Sequence, residues 1–160
     1  REEISEEAIC GSLPSGINPT TYSTPSFTVK EYINDGYKID LGGRILEVLS
    51  TPGHTPDAIS LLDINLGLLW VGDIYYEGPI WLFVPETDLD EFYNSVNSLC
   101  NIVPHLRALY TAHNSPIAQP QSLYALKKAL INIKNGTIAG KAISGGRIEY
   151  FFQGFSLIIK

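Results

Sequence analysis

An α/β (α+β) fold, a mixed sheet with helices on one face, follows from three observations on these 160 residues. Short apolar runs broken by glycine-bearing turns fill the stretch 37–73. Apolar residues recur at helical spacing over 88–102 and again over 120–133. Strand-like runs return after Ile143. Strands thus precede, separate and follow the helices, and their apolar faces need a second layer to hide them.

Taken in order, residues 1–9 (REEISEEAI) read as the end of a helix. Residues 10–26 are rich in Pro, Ser, Thr and Gly without any period, which reads as a long loop. Runs at 38–41 and 44–49 flank Gly42-Gly43, a hairpin turn because both glycines accept positive φ. Runs at 58–62 and 68–71 flank a second turn from Asn65 to Gly67. Their near-continuous apolar character predicts a sheet covered on both faces. Asp88 is a good N-cap with Glu91 three residues on, and Leu89, Phe92, Tyr93, Val96, Leu99 and Cys100 form one stripe. Residues 107–111 read as a short strand. A second helix opens near Pro120 and closes at Asn135-Gly136. Gly145-Gly146 turns into strands at 147–152 and 155–159. The expected organisation is one partial domain over 1–160, with 1–26 as helix remnant and loop and 37–160 as sheet and helices.

Composition narrows the function classes. An apolar share of 44% supports a packed core. Net charge is −6, and the 11 Lys and Arg residues are scattered, which argues against a nucleic-acid partner. No apolar run has transmembrane length, so no membrane partner is expected. The acidic start is unlike a signal peptide. Cys10 and Cys100 form no Cys-x-x-Cys pair and read as free thiols of a reducing compartment, which places the chain in the cytoplasm. The chain contains no Met, and its opening Arg1-Glu2-Glu3-Ile4 is read as that of a trimmed fragment.

Three metal-competent side chains each follow a strand-like run. His54 stands in Thr51-Pro52-Gly53-His54-Thr55-Pro56-Asp57, where Pro and Gly make a sharp turn that can hold an imidazole at a sheet edge. Asp73 ends Leu68-Leu69-Trp70-Val71-Gly72, and an ionised carboxylate there must be solvated, paired or bound to a cation. Such a carboxylate can bridge two divalent ions. His113 stands in Ala112-His113-Asn114 just past the run at 107–111. One histidine alone is more often a surface or hydrogen-bonded residue; three strand ends delivering His, Asp and His form a pattern. His105, beside Pro104 at the end of the first helix, precedes its strand and suits a helix C-terminus, so it is read as structural. Tyr75, Tyr76, Trp81 and Phe83 follow Asp73 in what reads as an aromatic loop with Gly78 and Pro79. That loop either lines a pocket or packs on the sheet.

In this order the segments resemble the later metal-binding motifs of the metallo-β-lactamase superfamily. Thr51–Asp57 resembles Thr-Pro-Gly-His-Thr-x-Gly, with Asp57 where glycine is common. Leu69–Asp73 resembles the strand that delivers the Gly-Asp bridge. The family commonly has Pro-Gly-His at the last ligand, where this chain has Thr111-Ala112-His113. The opening motif, His-x-His-x-Asp-His, occurs nowhere in these residues. The resemblance therefore implies the C-terminal half of an αββα sandwich. It implies that His54 binds a first metal, Asp73 bridges and His113 binds a second. Asp57 would orient a ligand histidine from behind, and Tyr75 or Tyr76 would donate to a substrate carbonyl.

Histidine and carboxylate donors suit zinc, with iron or manganese as alternatives. Two such metals make hydroxide available near neutral pH and polarise the scissile bond. The activity implied is hydrolysis of a thioester, lactone, amide-like or phosphoester bond, with a small acyl substrate favoured by the lack of a basic patch. A catalytic zinc normally takes three protein ligands plus water. Two ligands per metal predict weak zinc binding and no turnover by the isolated chain. They also predict a missing N-terminal half or a homodimer partner to cover the sheet. The competing readings are a degenerate, non-catalytic interaction module and a di-iron relative. The sequence upstream of Arg1 separates the first two.

Overall fold

The computed structural model describes residues 15–18, 21–22 and 28–160. The expected helix end at 1–9 lies outside the described residues, as do Cys10 and most of the loop at 10–26. Two compact units divide at Tyr32/Ile33. In the first, a turn is closed by Thr21 and Tyr22 backbone N–H groups donating to Asn18 O at 3.2 and 3.0 Å.

In the second unit, strands β1 (Lys38–Asp40), β2 (Ile45–Ser50), β3 (Ile59–Asp63) and β4 (Leu68–Gly72) form an antiparallel meander. It continues with β6 (Ala108–Thr111), parallel to β4, and β7 (Ile117–Ala118). A second sheet has the order β5-β10-β9-β8, built from β5 (Gly78–Leu82), β8 (Lys141–Ile143), β9 (Arg147–Phe151) and β10 (Phe155–Ile159). Helices α1 (Leu89–Cys100) and α2 (Ser122–Lys134) lie between strands in sequence and pack on each other. The architecture is a mixed α/β arrangement, as the sequence predicts.

Local chemistry sets the element ends. Asp88 Oδ1 accepts from the backbone N–H groups of Asp90 and Glu91, each at 2.9 Å, and so caps α1. Gly136, in the left-handed region at φ +64°, follows α2. Pro120 lies two residues ahead of α2 rather than in its first turn. In the β3–β4 turn, Asp63 Oδ1 accepts from Leu66 N at 3.0 Å, and Asp63 Oδ2 meets Arg44 Nε at 2.6 Å. The Leu66 N–H first, then the Arg44 guanidinium, hold the Asp63 carboxyl below the usual carboxylate range against the opposing effect of burial. A carboxyl whose pKa is lowered on folding stabilises above its unfolded value, and that contribution disappears as pH falls through the lowered one.

One face of the first sheet enters the core through Leu62, Leu69 and Leu109, which stand side by side in register and join Phe92, Val96, Leu123 and Leu126 of the helices. Ile80 and Leu157 bring the second sheet into the same core. The opposite face carries Leu61, Trp70 and Tyr110 in one row, with Trp70 stacked on Tyr110 at 4.9 Å and Arg44 over Trp70 at 5.3 Å. That row is half-buried, and Ile117 at its edge is 54% exposed. Among the described residues, the expected cover on both faces is thus found on one only. A second difference concerns the expected aromatic loop. Gly78–Leu82 is strand β5, pairing in parallel with β10, because the alternating Ile80 and Leu82 bury in the core.

Candidate metal centre

His54 is placed by a turn that α1 grips along its main chain. Thr51 N donates to Ala58 O at 2.9 Å and Gly53 N to Thr55 O at 3.1 Å, closing the turn on itself. Three successive carbonyls then accept from the neighbourhood of α1: Pro52 O from Ser95 Oγ (2.7 Å), Gly53 O from Asp88 N (2.9 Å) and His54 O from Thr87 Oγ1 (3.1 Å). Gly53 has φ +123°, and a Cβ there would lie 2.1 Å from Phe92 N. Only glycine lets the chain pass so close to the helix.

Asp73 and His113 leave the sheet at adjacent strand ends. β4 and β6 are parallel neighbours, so the residues just past their carboxyl ends share one rim. Gly72, at φ +54° beside a bulge in the pairing, turns the chain there. His113 Nε2 stands 2.9 Å from Asp73 Oδ1, with the two side chains 58% and 36% exposed. The Tyr76 ring meets His113 edge-on at 5.0 Å.

His54, Thr55, Asp57 and Asp73 line an open cavity of about 300 Å³ floored by Val71 and Ile74. The structure therefore brings His54 and Asp73 to one pocket, and Asp73 into contact with His113. Asp57 reaches the same pocket, where Asp57 Oδ1 accepts from Thr55 Oγ1 at 2.8 Å. Tyr75 is buried and packs edge-on against Phe155 at 5.6 Å. Tyr76 is also buried; its hydroxyl accepts from Trp81 N at 3.4 Å. Burial, with the Asp73 charge adding to it, pushes the Tyr76 phenol above its ordinary pKa, so it stays protonated. His105 lies exposed in a short 3₁₀ turn, Val103–His105.

Several residues that build this site carry no sequence signal. Thr87 and Ser95 act through carbonyls far from them in sequence. Glu77 and Ser115 tie two loops together: Ser115 Oγ donates to Glu77 Oε2 and Asn114 Nδ2 donates to Glu77 O, each at 2.5 Å.

A metal fits these residues on one observation. His54 Nδ1 is buried and has no hydrogen-bond partner among the described residues, against the rule that buried polar groups are paired. An imidazole nitrogen in that state, on a side chain lining a pocket with a carboxylate, is a donor suited to a cation. Among the described residues, however, no group of three or more His, Cys, Asp or Glu is clustered for metal binding. No helix of the described residues is long and apolar enough to cross a membrane.

No family-wide sequence profile matches the chain. Over 71 residues it is 31% identical to the acyl-coenzyme A thioesterase MBLAC2 of Homo sapiens, a match covering 44% of this chain and 25% of that protein. The metallo-β-lactamase family protein TTHA1429 from Thermus thermophilus is similar in structure with a TM-score of 0.52 and 24% identity, over 66% of this chain and 36% of that one. TTHA1623, solved in a di-iron-bound form, is similar with a TM-score of 0.51 and 24% identity, over 63% of this chain and 48% of that one. The matched region spans only about a quarter of the human relative.

Proposed function

We propose that this chain, whose fold is part of the metallo-β-lactamase fold, supplies ligands to a metal-dependent hydrolase that acts on a small acyl substrate, a thioester first. The observation that carries the reading is the unpartnered, buried Nδ1 of His54 in a turn built around it, on the pocket that Asp73 shares. The thioester preference rests on the similarity to acyl-coenzyme A thioesterases, with lactone next. His54, Asp73 and His113 would hold the metal. Zinc is the first choice for this donor set, and iron is the alternative that TTHA1623 supports.

When bound, a divalent metal supplies Lewis acidity and makes hydroxide available near neutral pH. The chain's own residues do the rest. The grip of α1 on residues 52–54 holds His54 in place without relying on the metal. Asp73 faces the pocket as an acceptor and orients the His113 imidazole through its Nε2 contact. The buried Tyr76 phenol keeps its proton and fills the space behind His113. Val71 and Ile74 give the pocket an apolar floor on which an acyl group can rest.

The donor count sets the expected behaviour of the chain by itself. With His54 and Asp73 for one metal and Asp73 and His113 for another, calorimetry on the purified chain is expected to show zinc binding weaker than micromolar, and no turnover. Submicromolar, stoichiometric zinc would overturn that count. In the full product of the gene, thiol release from an acyl-coenzyme A thioester is expected, and Asp73→Asn should lower it about 100-fold. Equal rates for the two, or turnover of a phosphodiester in place of the thioester, would defeat the reading. The lack of a clustered third donor among the described residues favours one other reading, a non-catalytic interaction module. That reading gains if the full product binds no metal.

A further inference from the structure

The loop that carries His113 is held by two long main-chain bonds, Thr111 N to Pro116 O and Ala112 N to Gly72 O at 3.4 Å, and by a set of side chains besides. Asn114 has φ +61°, the left-handed conformation that a non-glycine residue seldom takes. With that backbone, the Asn114 carboxamide donates to Glu77 O at 2.5 Å. Ser115 Oγ reaches Glu77 Oε2 at the same distance. Thr111 Oγ1 faces His113 O at 3.2 Å and also meets Ser115 O. Across the gap stands Gly78 at φ +101°, where a Cβ would lie 2.8 Å from Asn114 Nδ2. Glu77 and Gly78 close the short segment that begins at Asp73. The clamp therefore joins the residues just after His113, Asn114 and Ser115, to Glu77 at the far end of the Asp73 loop, close to where His113 Nε2 and Asp73 Oδ1 meet.

We propose that Asn114 is a positioning residue: its clamp on Glu77, with Ser115 beside it, sets the His113 imidazole against Asp73 and the Tyr76 ring. Asn is one of the few side chains that tolerates the left-handed region, and its amide supplies the donor that a glycine there would lack. His113 is the more exposed partner of the pair, and its side chain is otherwise free to turn into solvent. Only the metal arm of the test below depends on reading His54, Asp73 and His113 as ligands.

The test compares the unaltered 160-residue chain with Asn114→Gly and Asn114→Asp. Glycine accepts the backbone conformation at no steric cost and removes the carboxamide, with added backbone freedom that Asn114→Asp, which keeps a Cβ, does not share. Aspartate keeps the shape and turns the donor into an acceptor facing a carbonyl. Long-range ¹H–¹⁵N spectra of the three imidazoles and ring-to-ring contacts between Tyr76 and His113 are read without metal. Both variants are expected to move the His113 ring signals and lose the Tyr76 contact, with the His54 and His105 signals in place. In the metal arm, Co(II) added to the chain should bind Asn114→Gly about 10-fold more weakly.

Should either Asn114 variant fail to fold, Ser115→Ala and Glu77→Gln give the same reading by smaller steps. The first removes a donor and should loosen His113. The second keeps an acceptor and should preserve it. Unchanged His113 signals and an intact Tyr76 contact in Asn114→Gly would overturn the proposal. Failure of Co(II) to bind the unaltered chain would count against the ligand reading of Proposed function, while the imidazole spectra still decide the clamp.

Discussion

Two histidine-bearing loops leave one sheet edge, and they are held in different ways. The His54 loop is anchored through its main chain. Three consecutive carbonyls are satisfied by Ser95, Asp88 and Thr87, and Gly53 leaves no room between the turn and Phe92. The His113 loop has only two long main-chain bonds at its base, from Thr111 N and Ala112 N at 3.4 Å; its short contacts are side-chain ones, from Asn114 and Ser115 to Glu77, and its imidazole is largely exposed. Main-chain anchoring makes the first loop part of the core, so that damage there is damage to the fold. Side-chain anchoring makes the second a local device, which can fail while the fold persists. That division suits a site in which one ligand is fixed and the other has to be aimed.

The largest expected effect tests the first half of this contrast. Gly53→Ala must place a methyl group against the backbone of α1, 2.1 Å from Phe92 N, while also forcing alanine to a φ of +123°. Neither a backbone atom nor a capped helix start can yield cheaply. The variant should lose about 3 kcal/mol or more in urea denaturation. A loss under about 1 kcal/mol would mean that the turn can move off the helix.

The same substitution opposite the second loop should cost less. Gly78→Ala also puts alanine in the left-handed region, at φ +101°, but the atom its Cβ meets is the end of the Asn114 side chain. A flexible carboxamide can swing away. About 1–2 kcal/mol of stability is expected, together with release of the His113 loop, seen as faster amide exchange at 112–116 and unchanged exchange in α1. Equal costs for Gly53→Ala and Gly78→Ala would break the comparison.

The contrast also explains what could be read from the chain alone. Both hairpins, α1 with its Asp88 cap, and the placing of Asp73 and His113 each just past a strand follow from local patterns of a few residues, whereas the parallel pairing of those strands does not. Patterns of that length record the helical and strand periods and the turn glycines. The stretch Gly78–Leu82 was harder, because a glycine, a proline and the aromatic Trp81 mask its alternation. Its strand character depends on β10, more than seventy residues later. Thr87, Ser95 and Glu77 were out of reach for the same reason. Each works through a carbonyl or hydroxyl brought near by tertiary folding, and a threonine before a helix looks the same whether or not a distant turn needs its hydroxyl.

A smaller effect separates the three carbonyl bonds from the steric fit at Gly53. Thr87→Val keeps the shape of the side chain and removes the donor to His54 O, a bond of 3.1 Å in a half-buried setting. About 1 kcal/mol is expected. The sharper readout is the His54 ring signal, which should broaden or shift while His113 stays as it was. A change at His113 would show that the loops are coupled across the pocket.

The smallest effect concerns the ion pair between the two helices. Lys134 Nζ lies 2.8 Å from Asp90 Oδ1, with the side chains 68% and 80% exposed. The hydrogen bond to Asp90 and its charge hold the Lys134 ammonium above its ordinary pKa. A raised lysine pKa contributes below the unfolded value and is lost as pH climbs through the folded one, so any contribution is already present at neutral pH. Water and salt screen a pair this exposed. Lys134→Ala at pH 7 should therefore leave the melting temperature unchanged within error, and the His54 signal with it. If it instead matched the loss in Thr87→Val, the grip on the first loop would depend on how α2 holds α1 as well as on the carbonyl bonds. The main-chain account of that loop would then need the second helix as a further support.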